Sequence, residues 1–294
     1  MTLEQLRVFI AVAEFEHVTR AAGVLNLTQS ATSAAIAALE ERHDVKLFDR
    51  IGRRIALTAA GRAFLIEAKG VLARAGTAQQ TLADLAGLKT GELTLAASQT
   101  VGSYWLPGRI IRFHHRYPGV KVALKIGNTD AVAAMTRDSE VDIGFVEGEV
   151  TDPALAVTRV DEDELVIVAS PAHRAVLERF DLPSLTATPW VARETGSGTR
   201  AAFETAVAAI GVDTARRRIL ELPSNEAIRT AVEAGAGLAV LSRLVAGPSI
   251  AAGTLIAAPI ALPHRNFYRL RHKERYESKA ARAFVGMIDE VGSG

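Results

Sequence analysis

Two groups of polar residues have the types and spacing to recognise another molecule. Near the start, Gln29, Ser30, Thr32 and Ser33 precede Arg50, Arg53 and Arg54. Amides and hydroxyls of this kind hydrogen-bond base edges in the major groove, and arginines pair with phosphates or enter the minor groove. In the second half, four polar stretches each follow an apolar run and precede a helical pattern. They are Ser98-Gln99-Thr100, Asn128-Thr129, Thr195-Gly196-Ser197-Gly198-Thr199-Arg200 and Ser224-Asn225. Hydroxyls, amides and glycine-opened backbone at helix N-termini suit a small anion, a carboxylate or an inorganic oxyanion such as a sulfur oxyanion. Arg193 and Arg200 would neutralise its charge. Phe145 and Glu147, at the end of a strand-like run, would form the pocket floor. The same Ser, Thr and Asn residues can also serve simply as helix caps.

Other chemistries find little support. The sequence has no cysteine, which removes disulfides, thiol redox sensing, cysteine-zinc sites and cysteine nucleophiles. Its histidines are scattered, and the adjacent His114 and His115 would point apart on a helix, so no metal site is expected. There is no P-loop, Gly235-Ala236-Gly237 lacks the third glycine of a dinucleotide fingerprint, and Ser197 is not in a hydrolase elbow. Neither enzymatic activity nor a cofactor is expected.

With 294 residues, 49% of them hydrophobic, the chain can bury the cores of two or three units. No stretch approaches the ~20 apolar residues of a membrane helix. Glu4, Arg7 and Glu14 interrupt any signal-peptide pattern, so a cytoplasmic location without membrane association is expected. The net charge is only +1, yet Arg42 to Arg62 carries six basic residues against two acids. Their placement decides what that run means.

Leu3, Leu6, Phe9, Ile10 and Ala13 recur at helical spacing. A second helix is expected over 20–25, capped by Thr19 and packing through Ala21, Ala22, Val24 and Leu25, with Asn26 at the turn. Thr28 would cap a third helix over 29–41, whose inner face is Ala31, Ala35, Ile36 and Leu39. Short helix, tight turn and longer helix make a helix-turn-helix. Residues 47–58 follow as two apolar-polar segments around Gly52, a hairpin wing tipped by Arg50, Arg53 and Arg54.

The run Leu27-Thr28-Gln29-Ser30-Ala31-Thr32-Ser33, then Leu39-Glu40, Leu47-Phe48-Asp49-Arg50 and Leu57-Thr58-Ala59-Ala60-Gly61 resembles the winged helix-turn-helix of LysR-type transcriptional regulators. The matched spacings cover the first sixty residues. Ala34 and Ala35 stand where that family usually carries larger polar residues, which would thin direct base readout. The resemblance implies a C-terminal domain of periplasmic-binding-protein type. It also implies that hydroxyls of the loop at Ser98 line an effector pocket. Thr195 replaces a proline in the family's Arg-Glu-Pro-Gly-Ser-Gly-Thr-Arg stretch.

Phe64, Ala68, Val71, Ala75, Ala78, Leu82 and Leu85 are spaced by 4, 3, 4, 3, 4 and 3, the seam of two paired helices. About thirty residues at ~1.5 Å rise would make a rod of ~45 Å. Beyond Gly91, strand-like runs at 92–97, 120–126, 141–146, 164–169, 190–193, 219–222, 237–241 and 267–272 alternate with helical stretches.

The expected architecture is α/β with an N-terminal all-α winged helix-turn-helix, a long linker helix and a two-lobed α/β domain. Its bounds are 1–58 for DNA binding, 59–88 for dimerisation and 91–294 for the effector. Lobe one would span 91–161 and 267–294, and lobe two 162–266. Asp161-Glu162-Asp163-Glu164 and His264-Arg265 are the expected crossings. The expected function is sequence-specific regulation from double-stranded promoter DNA by a homodimer or homotetramer. A small anion closing the cleft would alter DNA bending or contact with RNA polymerase. The alternative is a small-molecule binding or transport protein of the periplasmic type.

Overall fold

Thr2 and Gln5 open the first helix with a reciprocal cap, Gln5 N–H donating to Thr2 Oγ1 (3.2 Å) and Thr2 N–H to Gln5 Oε1 (2.9 Å). The structure, a computed structural model, describes residues 1–51, 54–85, 91–212 and 219–290. It divides into two units, Met1–Leu85 with Asp138–Glu140, and Ala86–Arg137 with Val141–Gly294.

The first unit runs α1 (Leu3–Phe15), α2 (Val18–Val24), α3 (Gln29–His43), β1 (Phe48–Ile51), β2 (Arg54–Leu57) and α4 (Ala59–Leu85). Its core gathers Leu6, Phe9, Val12, Ala21, Ile36, Leu39, Leu47 and Phe48. Phe9 is fully buried, its ring 5.4 Å from Phe48 and 4.9 Å from Phe64. Asn26 takes the left-handed conformation (φ 54°) expected at the turn.

Several local expectations change. The second helix starts at Val18 after His17, which makes no side-chain cap, so Thr19 lies inside it. Val24 is 63% exposed rather than packed. On α3, Ile36 and Leu39 are buried as expected, but Ala31 is exposed and Thr32 lies inside instead. The heptad seam of α4 also divides between two duties. Ala68 is buried, and Phe64, Leu65 and Leu72 pack on the core of their own unit, while Val71 and Leu82 are exposed.

The second unit holds two five-stranded sheets. The first has the order β4-β3-β5-β12-β6, with β3 (Gly91–Ser98) parallel to β4 (Val120–Gly127) and β5 (Ile143–Glu147). The strand β12 (Arg265–His272) runs antiparallel to β5 and to β6 (Leu155–Asp163). Its faces are covered by α5 (Leu106–Arg116) and α12 (Lys279–Asp289) on one side and α6 (Thr129–Arg137) on the other. A π-helical turn, Val101–Trp105, joins β3 to α5.

The second sheet has the order β11-β7-β10-β8-β9. It comprises β7 (Leu165–Ala169), β8 (Trp190–Ala192), β9 (Ile219–Glu221), β10 (Leu238–Ser242) and β11 (Ile256–Ala257). One face carries α7 (Arg174–Arg179), α8 (Leu182–Ala187) and α9 (Gly198–Ala209), the other α10 (Asn225–Glu233) and α11 (Arg243–Ala251). The chain passes between sheets at Glu164 and returns ahead of Arg265. Most of β6 carries no strand signal in the sequence, because only Leu155 and Asp163 of its nine residues are buried.

Phe9→Ala removes a ring from the centre of the three-ring cluster. It should destabilise the first unit by about 3–5 kcal/mol, read as a lower urea midpoint for loss of helical circular dichroism.

Candidate nucleic-acid interface and ligand cleft

In the first unit, the start of α3 is set by Thr28, whose hydroxyl accepts from Ala31 N–H at 3.1 Å and lies 3.0 Å from Ser30 Oγ. Gln29 and Ser30 are exposed and Ser33 is half-buried. Thr32 is fully buried and donates its hydroxyl to Thr28 O at 3.0 Å, so it cannot read a base edge. That residue is corrected from surface to core. The exposed face beyond Gln29 and Ser30 continues as Ala34, Ala37 and Ala38, small and apolar. The strands β1 and β2 pair antiparallel, Ile51 opposite Arg54. Gly52 and Arg53 lie outside the described residues, as do the side chains of Arg50 and Arg54.

Glu40 holds this surface together. Its Oε1 accepts from the N–H groups of Leu47 (2.8 Å) and Phe48 (3.2 Å), and Oε2 accepts from Lys46 Nζ (2.7 Å). The end of α3 is thereby clamped to the start of the wing. Burial pushes this carboxyl up, but the Lys46 ammonium and the two backbone donors outweigh it and hold it below the ordinary carboxylate range. Gly61 lets α4 approach closely, since a Cβ there would meet Leu47 O at 2.1 Å.

In the second unit, the four polar stretches meet between the two sheets, around a carboxylate of the protein itself. Glu147, last residue of β5, is 1% exposed. Its Oε2 accepts from Ser98 Oγ, and Oε1 accepts from Thr100 Oγ1 (3.1 Å) and Thr199 Oγ1 (3.3 Å). Arg265 donates to Thr100 Oγ1 and Thr199 Oγ1 (3.2 Å each), and its NH1 is 3.8 Å from Glu147 Oε1. The Nε of Arg265 donates to Asp163 (2.7 Å), whose other oxygen accepts from Ser242 Oγ (2.6 Å). Desolvation pushes the Glu147 carboxyl up, against the downward pull of Arg265 and Thr100.

A second chain of bonds crosses the same gap. Gln99 Oε1 accepts from Arg193 (2.8 Å) and from Asn225 N–H (2.9 Å), and Asn225 Nδ2 donates to Thr100 Oγ1 (2.9 Å). Tyr104 OH donates to Glu226 at 3.0 Å.

The remaining expected residues fall in different places. Thr129 Oγ1 donates to Glu147 O (2.9 Å) and accepts from Gly198 N–H (3.2 Å). Asn128 caps α6 by accepting from Ala131 N–H (2.9 Å), and Ser197 caps α9 by accepting from Thr199 N–H (3.2 Å). Thr195 is exposed. A cavity of about 160 Å³ is lined by Thr129, Asp130, Gly148, Glu149, Thr195, Gly196, Ser197, Gly198, Arg200 and Glu204.

Three expectations are corrected. Phe145 is fully buried among Trp105 and Phe284, a core residue rather than a floor. Arg200 is engaged by Glu204 (2.7 Å), Arg193 O (3.0 Å) and Glu221 (3.3 Å). Arg193 forms a two-pronged pair with Glu194 at 2.8 and 2.7 Å. Neither arginine waits for an incoming anion. The sequence reading missed Asp163, Ser242 and Arg265 as cleft residues. The only signal was the acidic run opposite His264-Arg265, which marked the crossings.

Among the described residues no helix is long and apolar enough to cross a membrane. Two family models match the chain: the bacterial regulatory helix-turn-helix protein of the lysR family over residues 3–62, and the LysR substrate binding domain over residues 86–293. The chain is 35% identical over 291 residues to the uncharacterized HTH-type transcriptional regulator YeiE of Escherichia coli K12, covering 98% of this chain and 97% of that one. It is 35% identical over 243 residues to the HTH-type transcriptional activator CmpR of Synechocystis, covering 82% and 79%. Among solved structures, full-length CbnR in complex with its target DNA superposes with a TM-score of 0.70 at 23% identity, covering 99% of each chain. That likeness is one of fold.

Glu40→Ala should cost about 1–3 kcal/mol at neutral pH, because it strands the Leu47 and Phe48 N–H groups. A carboxyl held low in the folded state stabilises above its unfolded range, and that contribution disappears as pH falls through the folded value. The gap in urea stability between parent and variant should therefore close in acid. A gap unchanged by acid would refute the ionic clamp.

Proposed function

The chain belongs to the LysR family of bacterial helix-turn-helix regulators, and from that premise we propose that a small anion entering its effector cleft controls its hold on promoter DNA. As a member it is a DNA-binding transcriptional regulator with an effector-binding domain, and it is not an enzyme. The alternative of a binding or transport protein leaves the matched helix-turn-helix without a role.

What supports the cleft as the sensor is the convergence of Ser98, Thr100, Thr199, Gln99 and Asn225 from both sheets on one buried point. The ligand class is a carboxylate or an inorganic oxyanion, matched by hydroxyl and amide donors. A cavity of about 160 Å³, lined by Thr129 and by Thr195 to Gly198 of the third polar stretch, admits a molecule of that size.

The proposed assembly is a homodimer or homotetramer in the cytoplasm. Val71 and Leu82, exposed on α4, supply apolar surface for a second copy. Paired units would present two α3 helices to successive major grooves of an inverted repeat. Gln29, Ser30 and Ser33 then face the bases, and Arg50, Arg53 and Arg54 the backbone. The effector acts by preferring one arrangement of the lobes, which changes DNA bending or contact with RNA polymerase.

Two measurements check this. Replacing Arg53 and Arg54 together with Ala should weaken binding to every duplex and reduce the slope of log affinity against log salt by about two. An unchanged slope would remove the wing from the phosphates. Thr100→Val should abolish the response of promoter binding to carboxylates and oxyanions, read as the ratio of affinities for the same DNA with and without the anion. A retained response would take Thr100 out of the site.

A further inference from the structure

The charges around the cleft do not balance in favour of a bare anion. Two buried carboxylates, Glu147 and Asp163, share the single guanidinium of Arg265. Arg193, the other buried arginine nearby, is already matched by Glu194. The cavity beyond carries Asp130, Glu149 and Glu204 against Arg200, which is itself paired with Glu204. An anion would thus meet an excess of negative charge and compete with an ionised Glu147 for the same three hydroxyls.

One change resolves the conflict. If Glu147 carries a proton, one buried negative charge disappears, and Asp163 and Arg265 remain a matched pair. The carboxylic acid then becomes a donor aimed at the ligand, and Ser98, Thr100 and Thr199 are released to donate to it as well. Resting on the reading of the cleft as an anion sensor, we propose that Glu147 makes effector binding proton-coupled: the anion enters together with one proton, taken from solvent, which Glu147 holds and donates to a ligand oxygen.

The groups that face Glu147 allow this. The start of α9 offers Thr199, the turn after β3 offers Ser98 and Thr100, β12 offers Arg265, and Asp163 of β6 lies behind it. The hydroxyls rotate to suit either protonation state. Asp163 keeps its two donors, Arg265 and Ser242, in both. Burial already biases Glu147 toward the neutral acid.

The test uses the full-length protein with sulfate, nitrate, acetate and oxalate, anions that do not titrate between about pH 6 and pH 8.5. Affinity for the anion that binds should fall toward tenfold per pH unit above the titration of Glu147. Calorimetry above that titration, in two buffers of different ionisation enthalpy, should show uptake approaching one proton per ligand. Glu147→Gln should bind the same anion with no pH dependence and at least as tightly as the parent protein does at low pH. Affinity indifferent to pH, or rising with it, overturns the proton step and leaves the anion sensor standing. The calorimetric count on the parent protein decides the matter if the variant does not fold. Failure of all four anions to bind at either pH removes the anionic reading itself, and this inference with it.

Discussion

A carboxylate withdrawn from water is tolerated only where hydrogen bonds and opposite charge replace its lost hydration. Glu147 meets that demand with donors drawn from both sheets of the second unit. The demand fixes far more than one side chain. It requires β3 to end at Ser98, the π-helical turn to follow Thr100, α9 to open with Gly198 and Thr199, and the returning strand to begin with Arg265. It also requires α9 to approach β5 without a side chain at Gly198, where a Cβ would lie 1.6 Å from Glu147 O. The cleft is the solution to a solvation problem.

Glu40 poses the same problem in the first unit and solves it differently. Its donors are two backbone N–H groups and an ammonium, and its carboxyl is held down. Backbone donors are fixed in direction by the chain, so the bonds they make lock α3 to the wing. Hydroxyl donors rotate about one bond and can be reassigned to a ligand without moving the backbone. Glu147, ringed by hydroxyls and pushed up, is built for exchange, whereas Glu40 is built for permanence.

Periodicity and spacing revealed the elements well where one face is buried. The apolar steps of α1 and the strand runs of β3, β5, β7 and β10 are products of burial, and the cap at Thr28 is a local hydrogen bond that its residue type announces. Failures came where burial is absent or shared. The strand β6 has little buried surface, so it leaves no alternation. In the cleft, the sequence picked out the hydroxyl loops because each stands between a strand and a helix. It could not say that their donors meet a carboxylate, since Glu147, Asp163 and Arg265 are far apart in the chain. Of the carboxylates that engage Arg193 and Arg200, only Glu221 requires the strands to be placed, whereas Glu194 is the next residue in the chain and Glu204 lies one helical turn beyond Arg200.

Bonds that span the sheets decide how easily the cleft can respond. Gln99 to Arg193 and Asn225, Asn225 to Thr100, Arg265 to Thr199, and Tyr104 to Glu226 all depend on the present spacing of the lobes. Each such bond is worth about 1 kcal/mol net, because open lobes would return these groups to water. The balance between arrangements is therefore a small difference between several modest terms. A ligand that replaces even two of these bonds, or adds two, shifts the equilibrium by the 1–3 kcal/mol typical of coupling between distant sites. An apolar interface of the same area would be too stable for so small a molecule to move. The polar, exchangeable character of the cleft is what lets a ligand of a few atoms act on a chain of this size.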